Sequence, residues 1–129
     1  MTEVFEFTDP AEVIAKFDEI SAKDEPFVMV FTGGVKAGET ASWCPDCDIA
    51  KPAILEAIKN NNTSPVIKAI VPTRDEWVGV ADHPLKAHAH FKVTGIPTMI
   101  VFEGKSEMNR IVELDDFANS DMMEMFALN

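Results

Sequence analysis

Ala41-Ser42-Trp43-Cys44-Pro45-Asp46-Cys47 holds both cysteines of the chain at C-x-x-C spacing, with a proline just inside the point where a helix would begin. On a helix, residues three apart lie about 5–6 Å from one another, the separation a disulfide needs between its α-carbons. The pair can therefore open and close with little backbone movement. So short a loop does little to staple a fold, because disulfide stabilisation grows with the length of loop closed. A redox dithiol is the leading reading of this stretch, ahead of a structural disulfide.

Upstream of the motif, Phe27-Val28-Met29-Val30-Phe31 is a continuous apolar run rich in β-formers, and it predicts a central strand buried on both faces. Thr32 to Ser42 is a glycine-bearing loop that delivers the chain to Trp43 and Cys44. Earlier still, Asp9-Pro10-Ala11-Glu12 is a helix start: Asp9 can cap, Pro10 suits the first helical position and Glu12 can reach back. Val13, Ile14, Phe17 and Ile20 then form one apolar face of a helix running to about Ala22, and Lys23-Asp24-Glu25-Pro26 breaks it. The alternation over Val4 to Phe7 predicts a short strand at a sheet edge.

Downstream, the helix that starts at Pro45 is expected to line the core with Ile49, Ala53, Leu55 and Ile58. Pro52 should kink it rather than end it, since the apolar spacing continues. Asn60 to Thr63 is a turn, and Val66 to Val71 is a strand expected to lie parallel to the previous one, because a helix intervenes. Pro72 to Asp82 reads as an acidic loop carrying Trp77, and His83-Pro84-Leu85 opens a short helix expected to reach about Phe91. After the tight turn Thr94-Gly95-Ile96-Pro97-Thr98, Met99 to Phe102 is another apolar strand. Glu103-Gly104-Lys105-Ser106 predicts a hairpin, so that Met108 to Val112 returns antiparallel. A last helix is expected between Asp115 and Leu128, packed through Met122, Met125 and Phe126.

Composition limits the function classes. The chain has 129 residues, 47% of them hydrophobic, which predicts one domain over residues 1–129 with a sizeable core. No stretch approaches the roughly 18 apolar residues of a membrane span. Met1-Thr2-Glu3-Val4-Phe5-Glu6 has no basic region or long apolar run, so no signal peptide is read there and a cytoplasmic location is expected. A net charge of −11 argues against nucleic acid and anionic membrane as partners.

The element order β-α-β-α-β-α-β-β-α, with C-x-x-C between the second strand and second helix, is similar to that of thioredoxin-like domains. The expected class is α/β, a thioredoxin fold with a central mixed sheet and helices on both faces. Within that group the chain resembles the Clot-type proteins, the thioredoxin domain-containing protein 17 family. Phe31-Thr32-Gly33, Ser42-Trp43-Cys44-Pro45-Asp46-Cys47, Val71, Arg74 and Trp77 carry the likeness. His83-Pro84 and Phe91-Lys92-Val93-Thr94-Gly95-Ile96-Pro97-Thr98 extend it. Pro72 departs from the glycine usual there, and Asp75-Glu76 makes the following loop more acidic. Strand Phe27–Phe31 carries no acid, whereas thioredoxins proper bury an aspartate there that helps deprotonate the second cysteine.

The motif implies Cys44 as nucleophile, facing solvent at the positive end of the helix, and Cys47 as the more buried resolving thiol. Pro45 and Asp46 are expected to tune the pair. Asp46 is either the base for Cys47 or only a helix-start residue. A potential near that of thioredoxin, about −270 mV, is expected. The resemblance implies a cis bond before Pro97, with the Ile96 backbone beside Cys44. Trp43, Ile96, Pro97, Thr98 and Trp77 are candidate substrate-binding residues; Trp43 reads equally well as a loop anchor and Pro97 as a turn proline.

The resemblance further implies cytosolic disulfide reduction, with electrons from NADPH through thioredoxin reductase; no bound cofactor is expected, and a monomer is the default. Its substrates would be small disulfides such as cystine and selected protein disulfides, with peroxidase activity secondary. A signalling adaptor with incidental redox activity is the alternative. A zinc site from Cys44, Cys47, His88 and His90 has the wrong histidine spacing, so no metal is expected; His83, His88 and His90 read as solvated or capping groups.

Overall fold

The structure is a computed structural model and describes residues 3–61 and 63–126. Strands β1 (Val4–Phe7), β2 (Pro26–Gly33), β3 (Val66–Val71), β4 (Thr98–Glu103) and β5 (Ser106–Ile111) form one sheet in the order β1-β3-β2-β4-β5. β3 lies parallel to both β1 and β2, while β4 runs antiparallel to β2 and β5 returns antiparallel to β4. Gly104, at a positive φ of 59°, makes the tight hairpin turn between the last two.

β2 is central because its sequence can be buried on both sides. Phe27, Met29 and Phe31 point into a core shared with Val13, Phe17 and Phe91, while Val28 and Val30 point into a second core. Helix α1 (Pro10–Ser21) covers the first face, capped by the Asp9 carboxylate, which accepts from Ala11 N at 2.9 Å. On that face the Phe17 ring meets those of Phe27, Phe91 and Phe102 at centroid distances of 5.8, 4.9 and 5.1 Å.

Helix α2 (Pro45–Asn60) covers the second face and runs through Pro52, which supplies no N–H to the Asp48 carbonyl. Its buried side is Cys47, Ala50, Ile54 and Ala57, with Ala53 and Ile58 half-buried. Ile49 and Leu55, expected in the core, are 66% and 47% exposed. Seating Cys47 against the sheet sets the rotation of the helix, and residues three and seven further on follow it inward. Small alanines then let α2 lie close to the sheet.

Three further elements differ from the sequence expectation. α3 spans only Pro84–Ala87, because His88 turns to extended backbone and Lys92 takes a positive φ of 45°. The single C-terminal helix is instead α4 (Leu114–Phe117), α5 (Ser120–Met123) and a 3₁₀ turn, Glu124–Phe126; Asn119 breaks the run by capping α5. Phe126 is buried as expected, with Met122 and Met125 packed on the second core, and the proposed end at Leu128 lies outside the described residues. Finally, the stretch after β3 folds back through a 3₁₀ turn at Arg74–Glu76 and carries Trp77 into the first core.

Candidate active site

Cys44 occupies the N-cap of α2, and its Sγ accepts from Cys47 N at 3.2 Å. The two cysteines are joined as a disulfide with a Cα–Cα distance of 5.2 Å. Pro45 follows at the first helical position, and Asp46 is exposed beside it. Both Asp46 and Asp48 place negative charge in the first turn, where the free N–H groups of the helix favour it.

The expected exposure of Cys44 is corrected: in the closed pair it is 6% exposed, and Cys47 is 3% exposed. The end of β2 covers them. A Cβ built on Gly33 would lie 2.8 Å from Cys44 Cβ and 3.2 Å from Trp43 Cε2, so only glycine permits this approach. Gly33 N–H also donates to Cys47 Sγ at 3.3 Å. On the other side, Cys44 Sγ lies 3.7 Å from the Ile96 carbonyl oxygen, and the Ile96–Pro97 bond is cis. The juxtaposition of Ile96 and Cys44 is therefore as the resemblance implied.

Trp43 is half-buried and anchored: its Nε1–H donates to Val71 O at 2.7 Å and its ring packs on the first core. Ile96 is likewise half-buried, and Pro97 is buried. Thr98 is fully buried, and its hydroxyl donates to Gly95 O at 2.6 Å; it fastens the turn and offers substrate no side chain. Trp77 does not join the site. It is 5% exposed, packs edge-on against His83, and its carbonyl accepts from Lys86 Nζ at 2.6 Å. Lys86 also sits over the Trp77 ring, so an acidic loop conceals an apolar anchor.

Two residues passed over in the sequence hold the motif in place. Ser42 Oγ accepts from Cys44 N at 3.0 Å and donates to Cys44 O at 2.9 Å. Asp48 Oδ1 accepts from Ser42 N at 3.0 Å. Their signal was a serine and an aspartate flanking the helix start, the residue types that hydrogen-bond backbone there.

The histidines have other duties. His83 Nδ1 accepts from Leu85 N and caps α3 as expected; burial and then the Lys86 charge lower its pKa from the ordinary 6.5. His88 stacks on Phe91 at 3.8 Å and accepts from His90 N; burial and then His90 lower its pKa likewise. Among the described residues no group of three or more His, Cys, Asp or Glu could hold a metal ion.

A cysteine pair at a helix start, facing the cis-proline turn on this sheet, defines a thioredoxin-like thiol oxidoreductase. Solved thioredoxins share the fold: thioredoxin O2 of Arabidopsis thaliana, in its oxidised state, superposes with a TM-score of 0.61 at 20% identity, over 97% of this chain and 96% of that one. The model of the thioredoxin domain-containing protein 17-like thioredoxin domain matches residues 6–129, and the chain belongs to that family. Thioredoxin-like protein Clot of Oryza sativa subsp. japonica is 30% identical over 111 residues, covering 78% of this chain and 79% of that protein. The protein of the same name from Arabidopsis thaliana is 32% identical over 97 residues, covering 74% and 71%.

Proposed function

We propose that this protein is a cytoplasmic, monomeric disulfide reductase that acts by mixed-disulfide exchange on a restricted set of disulfides. The observation that carries the reading is the Cys44–Cys47 pair at the start of α2, with the Ile96 backbone against Cys44. Cys44 is the nucleophile. Its thiolate attacks one sulfur of a substrate disulfide and forms a new S–S bond, while the other substrate sulfur leaves and takes a proton. The positive end of α2, with its free first-turn N–H groups, favours that thiolate, and the Cys47 N–H among them bonds the sulfur directly, while Ser42 fixes the Cys44 backbone in place.

Cys47 resolves the mixed disulfide. It loses its proton, bonds to Cys44 Sγ, and the Cys44–substrate bond breaks to release the reduced product. Trp43, Ile96 and Pro97 border the reacting sulfur and receive the substrate chain. The oxidised pair is returned to the dithiol by thioredoxin reductase with electrons from NADPH. Asp46 and the net charge of −11 disfavour acidic substrates and narrow the clientele, for which cystine is the small-molecule candidate. Hydroperoxide reduction by the dithiol is secondary.

The test is NADPH consumption with thioredoxin reductase, using cystine and insulin as substrates, for the wild type and Cys44→Ser. Turnover on cystine well above that on insulin, abolished by Cys44→Ser, is the expected result. Equal turnover on both makes this a general thioredoxin. No turnover on either, from folded protein with two titratable thiols, rejects reduction by thioredoxin reductase and favours an adaptor or a different electron donor.

A further inference from the structure

The dithiol occupies one end of α2; the other end borders a groove that the mechanism leaves unused. The groove lies between the second half of α2 and the segment from α4 to the Glu124–Phe126 turn, and holds about 460 Å³. Its floor is apolar. Ala53 and Ala57 come from α2, Phe117 from α4 and Met123 from α5, and all four lie in or against the second core. Alanines on the α2 side leave the space open, because a methyl group cannot span it.

The rim is acidic. Among the described residues, the charged groups that line the groove are Glu56 and Glu124; both are exposed and neither is paired with a cation. Lys59, in the same turn of α2 as Glu56, does not line it. The stretch from residue 112 to residue 129 adds Glu113, Asp115, Asp116 and Asp121, and holds no lysine or arginine. An apolar floor between acidic edges complements the apolar stripe and basic flanks of an amphipathic helix. Methionine suits such a seat: Met123 lines the groove, Met122 and Met125 pack beside it on the second core, and their unbranched thioethers adapt to what lies against them. The same charge repels anionic lipid and nucleic acid.

We propose that the groove between α2 and α5 docks a partner protein through a basic amphipathic helix, whose apolar side chains enter the floor and whose lysines or arginines meet Glu56 and Glu124. At 1.5 Å of rise per residue, Ala57 stands about 20 Å along α2 from Cys44, so a helix seated there leaves the sulfurs open. The inference stands on the groove alone and holds whether or not the protein reduces disulfides.

The probe is a fluorescently labelled peptide of about 18 residues, or five helical turns, made of leucine and lysine with the leucines on one face. Binding to the full chain is read by fluorescence anisotropy, and circular dichroism confirms that each variant is folded. The peptide should bind, and one of the same composition in scrambled order should bind at least about tenfold more weakly. Ala118→Arg sets a bulky cation at the exposed edge of the groove and should weaken binding about tenfold or more. Glu56→Lys and Glu124→Lys should each weaken it about threefold, whereas Glu39→Lys, the same change of charge in the excursion before the motif, should leave it within about twofold of the parent. Absence of binding overturns the proposal, as do equal affinities for the ordered and scrambled peptides, an unchanged affinity in Ala118→Arg, or a loss in Glu39→Lys as large as at the rim. Two other occupants are separated by the same variants. Self-association in sedimentation that Ala118→Arg abolishes gives the groove to a second copy of the chain, and a peptide affinity that rises about tenfold when residues 127–129 are removed gives it to the chain itself; either overturns the proposal.

Discussion

Replacing Gly33 with alanine should damage the site more than any other methyl-sized change around it. The added Cβ would stand 2.8 Å from Cys44 Cβ, 3.2 Å from Trp43 Cε2 and 3.3 Å from Trp43 Nε1. Carbon atoms pack best at about 3.5–4.0 Å, so the first contact is short by about 1 Å. Neither neighbour yields easily. Cys44 Cβ is one bond from a backbone clamped by Ser42, and the Trp43 ring is tied to Val71 O. Overpacking of this kind costs about 1–3 kcal/mol. At about 2.1 cal/mol/K per residue, a chain of 129 residues loses about 4 °C of melting temperature per kcal/mol, so a fall of about 4–11 °C is expected. Thermal unfolding of the oxidised protein, followed by circular dichroism, measures it. Gly95→Ala is the control: a Cβ there meets nothing within 4 Å and its φ is not positive, so its melting temperature should stay within about 2 °C of the parent. A Gly33→Ala protein that melts within that same margin refutes the argument that glycine is required for the approach of the motif to β2.

Trp43→Phe keeps an aromatic ring but removes the N–H and its 2.7 Å bond to Val71 O; that carbonyl still accepts from Gly34 N, so the hydrogen bond should account for about 1 kcal/mol, with the smaller ring's lost packing adding to it, read by urea unfolding. Trp77→Ala should cost about 3–5 kcal/mol while leaving the ratio of cystine to insulin turnover unchanged, because Trp77 is packed in the core and not at the sulfur. Phe17→Ala, at the centre of the aromatic cluster, should cost a similar amount, seen as a fall in melting temperature above 10 °C. His83 and His88 both have a lowered pKa in the folded chain, so the unfolded chain binds more protons as pH falls below about 6.5. Stability should therefore drop between pH 7 and pH 5; a flat or rising profile in guanidinium titrations across that window contradicts the sign.

What was legible in the sequence was local. Asp9-Pro10 announced α1, the run Phe27–Phe31 announced a strand buried on both faces, and C-x-x-C with its proline announced the start of α2. The face that α2 buries was misread because Ile49, Ile54, Leu55 and Ile58 are equally large and lie around more than one face, and it is the close seat of Cys47 against β2 that fixes the rotation, with Ile54 inward and Leu55 outward. Trp77 was misread because its neighbours are acidic, and no local pattern shows that a Lys86 nine residues later will cover it. The C-terminal helix broke at Asn119, a residue that caps as readily as it continues. Of the site itself, the two cysteines were plain, while Gly33, Ser42 and Asp48 became functional only once the fold set β2 against α2.

That partition also explains how the site tolerates the long excursion between β2 and the motif. Residues Val35 and Ser42 form an antiparallel bridge, and Trp43 N–H donates to Gly34 O at 3.3 Å. The excursion is thus pinched shut at its base, and the chain re-enters the site almost where it left. Cys44 is positioned by the stem, through Gly33, Ser42 and Trp43, and not by the tip. The tip contains Gly38 at a positive φ of 83°, with nothing packed where its side chain would be. Geometry at the sulfurs and the sequence of the tip are therefore separable: the first is constrained by contacts of 3 Å or so, the second almost only by the need to turn.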